Sequence, residues 1–99
     1  MKNLTECYRY EYSDGGGPWF YPDGRPRHID NIPVWRDAEG ALSGFDTEEN
    51  LKEYMRYREI DVSKMKLFHY INVKITYHSK ISGKVFFYPT KNTIKLEII

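Results

Sequence analysis

From Tyr70 to His78 nearly every residue suits extended backbone, and this is the longest such run in the chain. Extended back to Phe68, it predicts a strand with His69, Ile71, Val73, Ile75 and Tyr77 on the core face. Phe68, Tyr70, Asn72, Lys74, Thr76 and His78 would then face the other way. Residues 79–83 make a hairpin-length loop, and 84–88 return as the next strand. Pro89, Thr90, Lys91 and Asn92 signal another turn. After it, 93–99 predicts a last strand with Ile94, Leu96 and Ile98 inward. Near the start, alternation predicts a strand over 5–12. Tyr8, Tyr10 and Tyr12 share one face; Cys7, Arg9 and Glu11 share the other. Arg9 and Glu11 then stand side by side and read as a surface ion pair worth under ~1 kcal/mol.

One helix is signalled. Asp46 is placed to accept from first-turn amides, Glu49 sits at a capping-box position, and acids suit a helix start. Leu51, Tyr54, Met55 and Arg58 follow helical spacing, so the helix should run over 47–58. A turn or one short helical turn over 61–65 follows. Between the first strand and this helix, 13–44 reads as a long irregular loop. It opens on Gly15, Gly16, Gly17 and Pro18 and carries repeated Pro and Gly turn signals, with an edge strand allowed at 32–35. The fold expected is a single α+β domain spanning 1–99: an antiparallel sheet of about four strands, arranged as a meander at its C-terminal end, with one helix packed on a face.

Composition changes this picture little. The chain has 99 residues, 40% hydrophobic and 16% aromatic, which suffices for one modest core and is too apolar for a disordered chain. No run approaches the ~20 apolar residues that span a bilayer. The first residues lack the apolar segment of a signal peptide, and Cys7 has no second cysteine to pair with, so a cytoplasmic location and no membrane partner are expected. Charge matters more. Residues 1–60 hold 8 Lys/Arg and 12 Asp/Glu, whereas 61–99 hold 7 Lys and 2 acids. The chain therefore has an acidic part and a basic part, which read either as ordinary solvated faces or as surfaces for charged partners.

Candidate chemistry is sparse. The three glycines lack the spacing of a dinucleotide fingerprint, and His28, His69, His78 and Cys7 do not fall at metal-ligand spacing, so no cofactor or metal is expected. Cys7 reads as a buried thiol without reactivity. His28 and Asp30 are the one base-and-orienter pair in sequence. Recognition is better represented: Trp19, Tyr21, Arg25, Arg27, His28 and Trp35 combine large rings with arginines, the residue types that dominate binding hot spots.

Two segments carry a resemblance. Tyr8-Arg9-Tyr10-Glu11 followed by Gly15-Gly16-Gly17-Pro18-Trp19 resembles the opening of a loosely defined group of small bacteriophage and mobile-element proteins. Gly44-Phe45-Asp46-Thr47-Glu48-Glu49 matches that group's helix start, and Tyr70-Ile71-Asn72-Val73 with Gly83-Lys84-Val85-Phe86-Phe87 its closing strand pair. The anchors number about a dozen residues, and none is a catalytic signature. The resemblance implies an inhibitor of a host defence system, such as an anti-CRISPR protein, that binds and blocks a host protein or nucleoprotein. The early arginine strand is also distantly similar to ADP-ribosyltransferase-like folds, with Arg9 at the position that helps hold NAD. The chain lacks a late Glu-x-Glu or Gln-x-Glu and carries Lys84 where an acid would be sought, so an active transferase is not implied.

Three functions follow as expectations. The first is a non-enzymatic binding protein that uses the aromatic–arginine loop, with Asp46, Glu48, Glu49 and Glu53 mimicking phosphate charge against a basic channel. The second is a nucleic-acid-binding module with Lys74, Lys84, Lys91 and Lys95 on phosphates and Phe68 or Tyr70 stacking on bases. The third is a degenerate NAD or nucleotide binder using Arg9 and His28. Either a monomer or a homodimer through a sheet edge fits the pattern.

Overall fold

The computed structural model describes residues 4–17 and 41–99. Its elements are β1 (Glu6–Glu11), β2 (Leu42–Phe45), α1 (Glu48–Tyr57), β3 (Lys66–His78) and β4 (Lys84–Ile98). All pairings are antiparallel. The strands close on themselves in the order β1-β2-β4-β3, so this four-stranded antiparallel sheet with one helix is the α+β domain that the hydrophobic pattern predicts. It is not a meander, because β2 lies between β1 and β4 and does not pair with β3.

Closure depends on the close approach of β1 and β2 at Tyr8 and Phe45. Gly44 makes room for it: a Cβ there would lie 2.5 Å from the Tyr8 carbonyl oxygen. The helix begins one residue later than the pattern suggests. Thr47 is its N-cap, with Oγ1 accepting from the Asn50 amide at 3.1 Å, and Asp46 is turned elsewhere. Leu51 and Met55 are buried, Tyr54 is half-buried, and Arg58 is exposed at the C-cap.

Two apolar clusters result. Inside the closed sheet lie Cys7, Tyr70, Val73, Val85 and Phe87. Under the helix lie Tyr10, Phe45, Leu51, Met55, Met65 and Leu67, with Ile98 packed beside them.

The expected faces of β3 are only half right, because its register with β4 shifts twice. The later shift, between Ile75 and Tyr77, leaves Tyr77 off the core face at 46% exposure. The earlier one is at Asn72, whose φ is +61°, between Ile71 and Val73. Inward positions run through Tyr70 before the shift and through Val73 after it, so His69 and Ile71 leave the core face that alternation gave them. The turn expected over 89–92 does not reverse the chain. Ile71 pairs with Ile94 and Val73 with Pro89, so residues 90–93 bulge opposite Asn72, and β4 continues as one strand. The Asn72 carbonyl oxygen accepts from Thr90 Oγ1 at 3.0 Å and Thr93 Oγ1 at 2.8 Å, which pins the bulge. Ile94 and Leu96 consequently face outward, not inward, at 47% and 48% exposure.

Candidate functional site

β1 places Arg9 and Glu11 inside the closed sheet, next to Cys7. The surface ion pair expected of them is instead a buried one, with side chains only 6% and 2% exposed and Arg9 Nε donating to Glu11 Oε2 at 2.9 Å. A lone buried carboxylate is costly, and three donors offset that cost here. Beside Arg9, the Tyr70 hydroxyl donates to Oε2 and Lys95 Nζ donates to Oε1 at 2.5 Å. Lys95 also lies 4.3 Å from the centre of the Phe68 ring, and Tyr70 packs against Phe87. Burial, with the Glu11 hydrogen bond and charge, pushes the Tyr70 hydroxyl upward. Burial likewise pushes the Cys7 thiol up to about 12 despite the Arg9 charge, which leaves it without reactivity near neutral pH.

The other side of the Arg9 guanidinium reaches the two stems of the segment between β1 and β2. Nη1 donates to the Ser43 carbonyl oxygen at 3.0 Å, just inside β2. Gly17 packs directly on the same group: a Cβ there would lie 2.9 Å from Nη1 and 3.0 Å from Nη2. The chain reaches Gly17 through a tight turn in which the Tyr12 amide donates to the Gly16 carbonyl and the Gly16 amide to Asp14 Oδ1. One buried side chain thus contacts both Gly17, the end of the glycine turn, and Ser43, the second residue of β2. The spacing of Arg9 and Glu11 shows that they share a face. The partners that bury them, Tyr70 and Lys95, lie 59 and 84 residues from Glu11 and carry no local signal.

A second polar cluster joins the helix start to the β3–β4 hairpin. Asp46 Oδ1 accepts from Asn50 Nδ2 at 2.9 Å, Oδ2 lies 2.9 Å from His78 Nε2, and the Asp46 amide donates to the Gly83 carbonyl. Burial pushes the Asp46 carboxyl up, but the hydrogen bonds from Asn50 and His78 outweigh it and leave it below its ordinary 3.8. Beside this cluster Lys84 Nζ lies 5.3 Å from the Phe45 ring centre and 5.8 Å from both Tyr54 and Phe86. Burial, aided by the Arg9 charge, lowers the Lys84 ammonium to about 8.

The residues expected to bind partners divide sharply. Trp19, Tyr21, Arg25, Arg27, His28 and Trp35, together with Asp30, lie outside the described residues. Of the acidic set, Asp46 is engaged with His78, and Glu48 is paired with Lys52 at 3.0 Å. Glu49 and Glu53 are exposed, and exposed Lys52, Arg56 and Arg58 share their helix end to end, so α1 does not present a purely acidic face. Of the basic set, Lys74 and Lys91 are exposed, Lys95 is tied to Glu11, and Lys84 is held among rings. Tyr70 is buried, so its ring offers no face to a base. Arg9 is committed to Glu11 and Ser43 and is not presented toward a nucleotide. Among the described residues no group of three or more His, Cys, Asp or Glu side chains could hold a metal, and no helix is long and apolar enough to cross a membrane. Compared with protein-family models, with curated proteins and with solved structures, the chain gives no match.

Proposed function

We propose that this is a non-enzymatic binding protein that blocks a host defence protein or nucleoprotein, in the manner of an anti-CRISPR inhibitor. The observation that carries the binding part of this reading is the Arg9 clasp. Arg9, one of two buried charged side chains among the described residues, is spent in part on fixing Gly17 and Ser43, the two stems of the segment that bears Trp19, Tyr21, Arg25, Arg27, His28 and Trp35. A rigid scaffold that holds the ends of a hot-spot-rich connection is how many domains present a recognition surface. Exposed Glu49 and Glu53 on α1, which directly follows β2, add acidic groups near one stem. The resemblance to small bacteriophage and mobile-element proteins supports the host-defence part.

The test is capture from a bacterial host that carries candidate defence systems, with and without nuclease. The expected result is one stoichiometric, nuclease-resistant protein, lost when Trp19, Arg25 and Arg27 are replaced together by Ala. Recovery of mixed nucleic acid that disappears with nuclease or salt would transfer the function to the lysine-bearing strands. Unchanged affinity in the triple variant would remove the segment as the interface.

A further inference from the structure

We infer that a second copy of this chain pairs antiparallel along the C-terminal half of β4, on a two-fold axis through Leu96. The first observation is a strand edge along which no described residue pairs. On one side, residues 94–98 of β4 pair with 67–71 of β3; on the other, β2 pairs only with 84–87, and no described residue pairs with 94–98 there. An unpaired row of amides and carbonyls is a template for another strand.

The second observation is that this edge alternates its charged side chains, Lys95 and Glu97, with exposed apolar ones. Its outward side chains include Ile94 at 47% and Leu96 at 48% exposure. Across the sheet Ile94 pairs with half-buried Ile71, and Leu96 with His69, whose ring stacks on Tyr8 at 4.4 Å and whose Nε2 meets Glu6 at 2.9 Å. The other such edge, the far half of β3, is different. Exposed Lys74, Thr76 and His78 stand along it with one exposed ring, Tyr77, so its exposed side chains are mostly polar and have no self-complementary order.

The third observation identifies the occupant. A two-fold axis perpendicular to the sheet keeps like faces together, so some residue must lie opposite its own copy. Centring on Lys95 or Glu97 would set like charges against each other. Centring on Leu96 sets Leu96 against Leu96, Ile94 against Ile98 and Lys95 against Glu97, the last two twice over. Both charged side chains retain the exposure this needs, 41% for Lys95 and 38% for Glu97, while they hold Glu11 and Lys66 within their own copy. The segment Ile94-Lys95-Leu96-Glu97-Ile98 is therefore complementary to itself in both apolar and charged positions.

The test is sedimentation velocity on the full chain across a concentration series up to hundreds of micromolar, with two variants. Wild type should show a concentration-dependent dimer. Leu96→Lys, an exposed replacement that sets lysine against lysine at the axis, should remain monomeric with an unchanged far-ultraviolet spectrum. Leu96→Cys should yield a disulfide-linked dimer on mild oxidation, since facing residues of an antiparallel pair lie within disulfide reach and Cys7 is buried. Thr76→Cys, on the β3 edge, should not. A wild type that stays monomeric throughout, a dimer unaffected by Leu96→Lys, or cross-linking through position 76 in place of 96 would each overturn the inference.

Discussion

Glu11 is the residue on which the interior of the closed sheet depends, because its carboxylate is the acceptor for Arg9, Tyr70 and Lys95 together. Glu11→Leu leaves the Arg9 guanidinium buried without its counter-ion, and it should cost about 3–5 kcal/mol in urea unfolding. The double change Arg9→Met with Glu11→Leu should cost less than the sum of the two single changes, because it removes both charges together. Equal additivity would show that the pair is not coupled. Lys84 offers a pH readout. Its ammonium is lowered from 10.5 to about 8 in the folded chain, so between those values the unfolded chain binds the extra proton. Its contribution to stability therefore rises with pH across that window and is least below pH 8. Cys7, raised from 9.0 to about 12, works in the opposite direction above pH 9, so the comparison must be with Lys84→Met. The stability of wild type relative to Lys84→Met should increase from pH 8 to pH 10; a flat difference would show that burial does not act on this amine.

At the scale of elements, Asn72 governs where β3 and β4 place their side chains. Its positive φ costs an ordinary side chain roughly 1–2 kcal/mol, so Asn72→Val should lower the thermal midpoint while Asn72→Gly stays near wild type. This residue also explains what the pattern of the chain conveyed and what it did not. Strand alternation located β1 and β3, and helical spacing located α1 with Leu51 and Met55 inward. Those signals are local, since each depends on residues a few positions apart. Face assignment along a long strand assumes an unbroken alternation, and one asparagine with left-handed backbone removes that assumption without altering composition. The turn signal at Pro89 to Asn92 was real, but its cause is a bulge held by Thr90 and Thr93, and only pairing with β3 separates a bulge from a reversal. The N-cap shows the same limit on a smaller scale: Asp46 and Thr47 both suit the position. What assigns it to Thr47 is that His78, 32 residues away, engages Asp46. Thr47→Ala should cost about 1 kcal/mol of helix stability, read as earlier loss of the helical signal on heating.

For the whole molecule, the strand pairing that joins residues farthest apart in sequence is that of β1 with β3. β1 pairs with β3 from Glu6 to Glu11, meets β2 at Tyr8, and sends Arg9 to Ser43. The hairpin of β3 and β4 is local, but β1 must cross most of the sequence to find its place, and its pairing with β3 joins Glu6 to Ile71. β1 docking is therefore the slow step expected in folding. Tyr10→Ala, on the helix-facing side of β1, should slow folding in stopped-flow measurements; an effect confined to unfolding would place β1 docking after the slow step.

The hold of β1 on its neighbours also bears on how this chain responds to a protease. The ladder to β3, buried Cys7 and the Arg9–Glu11 pair all lie upstream of Gly17, and every other element lies downstream of Ala41. A single engineered cut between those two residues would leave two fragments that share one interior, and they should co-migrate under native conditions and separate only in denaturant. The same property makes the two fragments a natural complementation pair: expressed apart, β1 with its glycine turn would be recruited by the larger piece, and each half would report on the presence of the other.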